Sequence, residues 1–264
     1  MVEISVPQSE AFREAGHWLR LENFAQRTTL LFAIIIPLMS GLTNRFEWLS
    51  ITMDGLTAAG IVLTYAFEII FQKEYRRAEE VRRDGLIDAA FNTKMADIKA
   101  VGYYDNGGID YGYLRLLAQI HQNSFETERI VTRMAQKSCR KNILFFCILV
   151  FFCCASVLSS HLFLAALQGL LSVSFLSECL KLRRLRDDAA VVQNECRSTS
   201  ESILKDKRKT VAQEDVANIM RILLRYETSL AYASVMLDGK LFDEINPLAT
   251  QDWLDIKQRF YGHD

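Results

Sequence analysis

The run "ILFFCILVFFCCASVLSSHLFLAALQGLL", residues 143–171, carries no charge and no proline, and the uncharged stretch around it extends from Asn142 to Ser177. At about 1.5 Å per residue, one helix of this length would reach roughly 54 Å, well beyond the ~30 Å hydrocarbon core of a bilayer. Soluble core helices rarely exceed ~20 residues. We therefore predict two short membrane spans joined by a turn at the Ser-Ser-His of residues 159–161.

Basic clusters flank this run on both sides, and a single span would place one of them outside the cell. A hairpin places both in the cytoplasm, in agreement with the positive-inside rule. The clusters are Lys137, Arg140 and Lys141 before the run, and Lys181, Arg183, Arg184 and Arg186 after it.

A weaker copy of the pattern lies upstream. Residues 28–44 hold no charge, and residues 48–71 hold only Asp54 and Glu68. We predict a second hairpin here, which gives four spans with both termini in the cytoplasm and both hairpin tips outside. The basic residues that follow this hairpin are Lys73, Arg76, Arg77, Arg82 and Arg83.

These patterns predict an all-α integral membrane protein, and the few prolines (3) and glycines (12) are typical of long helices. Phe12 and Trp18 indicate either an amphipathic helix near the lipid headgroups or an ordinary helix packed on the cytoplasmic body. The predicted regions are an amphipathic N-terminal helix (1–27), a first transmembrane hairpin (28–72), a cytoplasmic helical insert (73–141), a second transmembrane hairpin (142–180) and a cytoplasmic C-terminal helical region (181–264).

The six cysteines are not expected to form a disulfide framework. Cys139, Cys179 and Cys196 fall on the predicted cytoplasmic side, where thiols stay reduced. We interpret the cysteines as small, polarizable packing residues.

Motifs of catalysis are missing from the sequence, which has no G-x-S-x-G, H-E-x-x-H, P-loop or glycine-rich dinucleotide fingerprint. We therefore expect no enzyme activity, no metal and no bound cofactor, although a site assembled only in three dimensions stays open. The four histidines are scattered without metal-ligand spacing: His17, His121, His161 and His263.

One stripe of the second predicted span reads acid, hydroxyl, apolar, hydroxyl, acid. Acids inside a membrane usually face water or the bundle interior. Several copies around an axis would form two acidic rings about an apolar constriction, which suits cation flow. Alternatively, both acids lie near the interfaces and the threonines bond to their own backbone. The stripe consists of Asp54, Thr57, Ile61, Thr64 and Glu68.

The arginines beside the spans have a default explanation in the positive-inside rule and contacts with anionic lipid. A sharper hypothesis is that some bind a phosphate-rich ligand, with Arg221, Arg225 and Tyr226 adding phosphate and base-stacking contacts. Ion pairing with neighbouring acids is the competing use. The candidate juxtamembrane residues are Arg76, Arg77, Arg82, Arg83, Arg183, Arg184 and Arg186.

The C-terminal region contains a heptad seam, which indicates either association with a partner helix or packing within a cytoplasmic bundle. A last short helix is predicted after Asn246-Pro247. The seam consists of Val216, Leu223, Leu230 and Leu237, with Ile219, Tyr226 and Ala233 between them.

Several segments together resemble a known family. The two hairpins, "RRAEEVRRDGLIDAAFNTK" and "VGYYDNGG" in the insert, and "LRYETSLAYASVMLD" with Trp253 in the tail are similar to bacterial four-transmembrane effectors encoded beside nucleotidyltransferases in anti-phage defence operons, the Hailong-type channel effectors. The resemblance covers most of the chain from about residue 28, but its motifs are not catalytic signatures.

The resemblance implies an inner-membrane homo-oligomer, most simply a tetramer, that conducts ions, depolarises the membrane and stops the infected cell. It also implies that a nucleotide or short oligonucleotide from the partner enzyme opens the channel or holds it shut; no long nucleic acid is expected as a partner. Two rival hypotheses stay open. One is a non-conducting, membrane-anchored scaffold that recruits partners through the seam, and the other is a membrane-embedded enzyme such as a lipid hydrolase.

Overall fold

The structure, a computed structural model, describes residues 7–38, 47–96, 106, 108–155, 174–205 and 211–262. Every regular element in these ranges is an α-helix, which confirms the all-α prediction for this part of the chain. The turn predicted at residues 159–161 lies outside the described residues. The helices are α1 (Pro7–Leu38), α2 (Glu47–Phe91), α3 (Tyr113–Ala155), α4 (Ser174–Lys205), α5 (Gln213–Ala233) and α6 (Gly239–Tyr261).

One helical stretch within the described ranges, Gly55–Phe91, is long and apolar enough to cross a membrane, judged by length and composition. It belongs to α2 and overlaps the second predicted span. The structure therefore contains one candidate membrane-spanning helix, and the other three spans stay predictions. Residues 156–173, which hold the end of the third predicted span and most of the fourth, lie outside the described residues.

Two helices are longer than a bilayer is thick, with 45 residues in α2 and 43 in α3. In α2 the apolar residues up to Phe71 are followed by acids and bases three or four positions apart, which stabilise a helix, and the helix continues to Phe91. The boundary predicted after residue 27 falls inside α1, which is continuous from Pro7 to Leu38.

The helices divide between two compact units, and α1 to α4 each contribute to both. The apolar unit comprises Phe12–Arg76 and Ser138–Ser177. The bundle unit comprises Met1–Ala11, Arg77–Lys137 and Glu178–Asp264.

In the apolar unit, α1 packs antiparallel on α2 through aromatic side chains. The ring centroid of Phe12 lies 6.1 Å from that of Tyr75, and the centroids of Trp18 and Phe67 are also 6.1 Å apart. A step forward along α1 thus corresponds to a step backward along α2. Edge and tilted contacts between aromatic rings add to the burial of their apolar surface.

In the bundle unit, helices or helix segments from α2 to α6 share one hydrophobic core. The buried residues of α5 recur three or four positions apart, which places them on one face. These residues are Ile219, Ile222, Tyr226, Leu230 and Ala233. The core also includes Leu86 from α2, Leu117 and Ile120 from α3, Leu182 and Leu185 from α4, and Trp253 from α6.

The heptad seam is therefore used inside the bundle unit, as the intramolecular interpretation predicted. The helix that carries it ends at Ala233, because Ser234 adopts a left-handed conformation with φ of 46° and its N–H bonds to the carbonyl of Leu230. Leu237 lies beyond this end, so the seam is shorter than its sequence pattern indicated.

The last helix begins earlier than predicted. Asp238 accepts hydrogen bonds from the backbone N–H groups of Lys240 and Leu241 at 3.1 and 3.4 Å, and this cap starts α6 at Gly239. Pro247 then lies inside the helix rather than before it. The predicted start after Pro247 was therefore wrong.

The expectation of reduced thiols was wrong for two cysteines. Cys139 and Cys179 are disulfide-bonded, whereas Cys147 and Cys196 are free. The expectation rested on the predicted compartment, which carries no information about which side chains the fold brings together.

Candidate functional site

The five residues predicted to line a pore all belong to α2. Ile61 exposes 47 % of its surface and Glu68 is exposed, while Thr57 and Thr64 are half-buried. The backbone of Asp54 is part of the helix, but its side chain lies outside the described residues.

The packing of α1 on α2 explains why a threonine of the stripe is half-buried. A Cβ atom at Gly60 would overlap the hydroxyl of Thr29, so α1 approaches α2 most closely where a side chain is missing. One turn further, the Thr64 hydroxyl donates to the carbonyl of Gly60 at 2.8 Å. For Thr64, this is the backbone bond that the alternative interpretation predicted. Ile61 and Glu68 lie about 80–100° around the helix from Gly60.

Large apolar side chains are exposed around the stripe. Val62 exposes 67 % of its surface, Tyr65 64 % and Ile69 70 %. Contiguous exposed apolar surface marks a membrane or protein interaction site, because water solvates it poorly. This segment of α2 therefore needs lipid or another protein around it.

Arg82, by contrast, is buried and paired in the bundle unit. Its guanidinium group donates to Glu79 on the same helix at 2.8 Å and to Glu227 of α5 at 2.6 Å, and Arg83 lies 3.3 Å from Glu227. Burial alone would lower the pKa of Arg82, but Glu227 and then Glu79 raise it above its usual range. The structure thus uses Arg82 in the ion pairing that competes with ligand binding.

Tyr226 is part of the core rather than a stacking surface. It exposes 3 % of its surface, and its hydroxyl lies 2.9 Å from the hydroxyl of Thr127 in α3. Burial raises the pKa of Tyr226. In this conformation its ring is not accessible to a nucleobase.

Arg221 and Arg225 lie one turn apart on the outside of α5. Both donate to the same oxygen, Oε1 of Glu195 in α4, at 3.1 and 2.9 Å. Their side chains expose 57 % and 44 % of their surface. These two residues, called the arginine pair below, stay accessible to a ligand.

The aromatic ring on this side of α5 is Tyr232, which the sequence reasoning missed. It exposes 60 % of its surface, and the guanidinium carbon of Arg184 lies 5.1 Å from its ring centroid. Tyr232 follows Arg225 by seven positions, a spacing that places both on one helix face. That spacing was the available sequence signal.

The other predicted ligand residues are dispersed. Arg183 and Arg77 are exposed. Arg186 pairs with its neighbour Asp187 at 2.6 Å. The Nε of Arg76 donates to the carbonyl of Gln72 at 3.3 Å.

A buried polar and aromatic cluster joins α3 to α6 and was also missed. His121 is fully buried, its Nδ1 lies 3.1 Å from the hydroxyl of Tyr261, and its ring packs against Trp253 and Phe260 at 5.3 and 6.1 Å. Burial, and then the positive charge of Arg197, lower the pKa of His121 to about 3. A neutral imidazole here holds α6 in place. The aromatic spacing of the last helix was the available signal.

No family model, curated protein or solved structure matches the chain. Within the part of the chain that the structure describes, no group of three histidine, cysteine, aspartate or glutamate side chains could hold a metal ion. The geometry of α2 and of the bundle unit is therefore the basis for a proposed function.

Proposed function

We propose that the chain is a subunit of an oligomeric membrane ion channel, in which α2 lines the pore and the bundle unit senses a ligand. The observation that carries this proposal is α2 itself. Its apolar segment exposes Val62, Tyr65 and Ile69 beside the stripe of acids and threonines, and the same helix continues into the ion-paired bundle unit.

The position of the stripe supports an assembly of several copies. One stripe on one helix encloses no pore, whereas copies arranged around an axis bring Ile61 and Glu68 to a common centre. We propose a homo-oligomer, most simply a tetramer, with four spans per subunit in the bacterial inner membrane and both termini in the cytoplasm.

The resemblance of the sequence to Hailong-type effectors suggests the biological role. We propose a non-enzymatic effector of anti-phage defence that a nucleotide or short oligonucleotide from a partner nucleotidyltransferase opens or holds closed. Channel opening would depolarise the membrane and arrest or kill the infected cell.

Conduction is tested with the purified protein in planar bilayers. We expect the wild-type channel to conduct cations selectively. Asp54→Asn and Glu68→Gln should each lower the cation selectivity, because each removes one ring of negative charge. Glu80→Gln is the matched control, since Glu80 is an exposed acid further along α2. Unchanged conductance and selectivity in both stripe variants would reject α2 as the pore helix.

The proposed topology places Cys139 and Cys179 on the cytoplasmic side, where thiols are kept reduced. Both cysteines are disulfide-bonded in the structure, so the topology needs a direct test. Labelling with a membrane-impermeant maleimide shows which segments are reachable from the periplasm. We expect Arg45→Cys to be labelled from the periplasm and Asp110→Cys to be protected in intact cells. The reverse pattern would refute the topology.

The scaffold alternative depended on the seam of α5, and most of that seam is buried within the chain's own core. Exposed apolar residues remain on the other side of α5, Met220 and Leu224. Membrane potential measured after expression separates the two functions, because a scaffold leaves the potential unchanged.

A further inference from the structure

Helix α5 contacts two long helices at adjacent positions. The hydroxyl of Tyr226 lies 2.9 Å from that of Thr127 in α3, and Glu227 accepts from Arg82 of α2 at 2.6 Å. These contacts are desolvated, with 12 % of Arg82 and 15 % of Glu227 exposed. A shift of α5 is therefore transmitted to α2 rather than absorbed by solvent.

The arginine pair on the outside of α5 forms a weaker contact with α4. Both arginines share one oxygen of Glu195, and its second oxygen, Oε2, has no hydrogen-bond partner among the described residues. The arginines of these pairs are 57 % and 44 % exposed and Glu195 is 21 % exposed, so solvent screens the pairs in part; surface ion pairs contribute about 0–1 kcal/mol. A phosphate group offers more acceptor oxygens and more charge than one carboxylate oxygen, so it can replace Glu195.

Tyr232 lies on the same face of α5 as Arg225, further along the helix. Seven residues separate it from Arg225, a rise of about 10 Å along one helix face. Base stacking on an aromatic ring contributes about 1–3 kcal/mol. A lipid headgroup has a phosphate but no base, so the exposed ring favours a nucleotide.

Three positive charges, those of Arg184 and the arginine pair, and the negative charge of Glu195 take part in the contacts of this surface. Displacing Glu195 from the arginine pair adds to the attraction for an anion.

We propose that this exposed stripe of α5 binds a nucleoside phosphate or a short 5′-phosphorylated oligonucleotide, with the phosphate on the arginine pair and the base on Tyr232. The phosphate displaces Glu195. Because the arginine pair and Glu227 lie within two turns of α5, the displacement shifts the contact of Glu227 with α2. The inference rests on the proposed nucleotide-sensing function and supplies its site and route.

Binding is tested by titration calorimetry on the full-length protein in detergent micelles, with ATP, inorganic triphosphate and a 5′-phosphorylated triadenylate as probes. We expect the double variant Arg221→Gln/Arg225→Gln to weaken all three by at least about tenfold. Tyr232→Ala should weaken the two base-containing probes and spare inorganic triphosphate. Arg133→Gln is the control, at an exposed arginine of α3 that is not part of the proposed site.

Removing the competing carboxylate should strengthen phosphate binding rather than weaken it. Glu195→Gln should tighten inorganic triphosphate by up to about tenfold, because it removes a negative charge from the phosphate position. A purely structural Glu195 would instead lower the melting temperature without tightening the probe. That result, unchanged affinity in the double variant, or no binding of any probe would overturn the site.

The phosphate could also come from an anionic lipid. Proteoliposomes of phosphatidylcholine with and without phosphatidylglycerol separate the two sources. We expect ATP affinity to depend on the arginine pair in both membranes. If ATP does not bind and phosphatidylglycerol is retained only when the arginine pair is intact, the ligand is a lipid headgroup and the nucleotide assignment is overturned.

The route to α2 is tested by hydrogen exchange of residues 77–91 with and without ATP. We expect ATP to change exchange there in the wild type, and Glu227→Gln to bind ATP with unchanged affinity but lose this response. An identical response in Glu227→Gln would overturn the route. Neither binding nor exchange depends on conductance, so failure of the channel proposal leaves these results interpretable.

Discussion

Helix α2 passes through two environments, and its two segments differ in where their apolar side chains point. In the apolar unit, Val62 and Ile69 are largely exposed. In the bundle unit, Ala78, Leu86 and Ala90 are almost completely buried, while the charged residues form pairs around them. The helix is continuous, so backbone hydrogen bonding does not distinguish the segments. What differs is whether the rest of the chain or an outside partner covers the apolar surface.

The largest effect should come from the buried ion pairs of the bundle segment. Arg82→Met leaves the carboxylates of Glu79 and Glu227 buried with less compensation, which costs about 3–5 kcal/mol. Urea unfolding in detergent micelles, followed by circular dichroism, measures the loss. Arg76→Met, at an exposed arginine of α2, should change stability by less than about 0.5 kcal/mol. Equal effects would show that the two segments do not differ in this way.

Acid should weaken the bundle unit through His121. Its pKa is lowered from 6.5 to about 3, so the stabilisation is present above pH 6.5 and is lost as pH falls towards 3. The change amounts to about 2 kcal/mol between pH 6.5 and about pH 5.

Unfolding measured at both pH values in the wild type and in His121→Leu isolates this contribution, because the carboxylates titrate in both proteins. The variant should show the weaker pH dependence. His17→Gln, at an exposed histidine of α1, should keep the wild-type dependence. If His121→Leu keeps the same pH dependence, burial and the charge of Arg197 do not lower the pKa of His121 as the structure indicates.

Replacing two glycines of the apolar segment by alanine should change stability in opposite directions. Gly60→Ala places a methyl group against Thr29 and should cost about 1–3 kcal/mol, as overpacking does. Gly55 has no heavy atom within 4 Å of an added Cβ among the described residues, so Gly55→Ala should stabilise the helix by up to about 1 kcal/mol. Thermal melting in micelles measures both. A gain at Gly60 would disprove the close approach of α1.

The smallest effect is expected at the exposed apolar surface. Val62→Ala should change stability in micelles by less than about 0.5 kcal/mol, since the side chain touches detergent rather than protein. A larger loss, together with a change in subunit number by native mass spectrometry, would show that Val62 lies in a contact between subunits.

Helix type and continuity could be predicted from the sequence, because they depend on local spacing. The insert from residue 73 was predicted to be helical, and the structure joins it to the preceding apolar segment in one helix that ends at Phe91. Helix ends were less predictable. The Asp238 cap starts α6 before Pro247, and Ser234 ends α5 before Leu237. Each helix end depends on one hydrogen-bonding side chain or one backbone conformation. The spacing of apolar residues along the helix does not predict either of them.

The candidate sites could be predicted only in part. Arg221, Arg225 and Tyr226 are equally plausible ligand residues in the sequence, yet the arginines are exposed and Tyr226 is buried. Which face of α5 turns inward depends on the helices that pack against it. Sequence spacing defines the faces, and the neighbours select between them.

The amino-acid sequence by itself determined that this protein is helical and that its charged and apolar residues are sorted into separate segments, because hydrogen bonding within a helix and the spacing of side chains are local properties. The tertiary structure alone decided that Arg82 is a buried ion-pair partner, that Tyr232 rather than Tyr226 is accessible, and that His121 is held neutral. Burial and pairing depend on residues far apart in the chain, and desolvation by those neighbours sets the charge state and accessibility of each side chain.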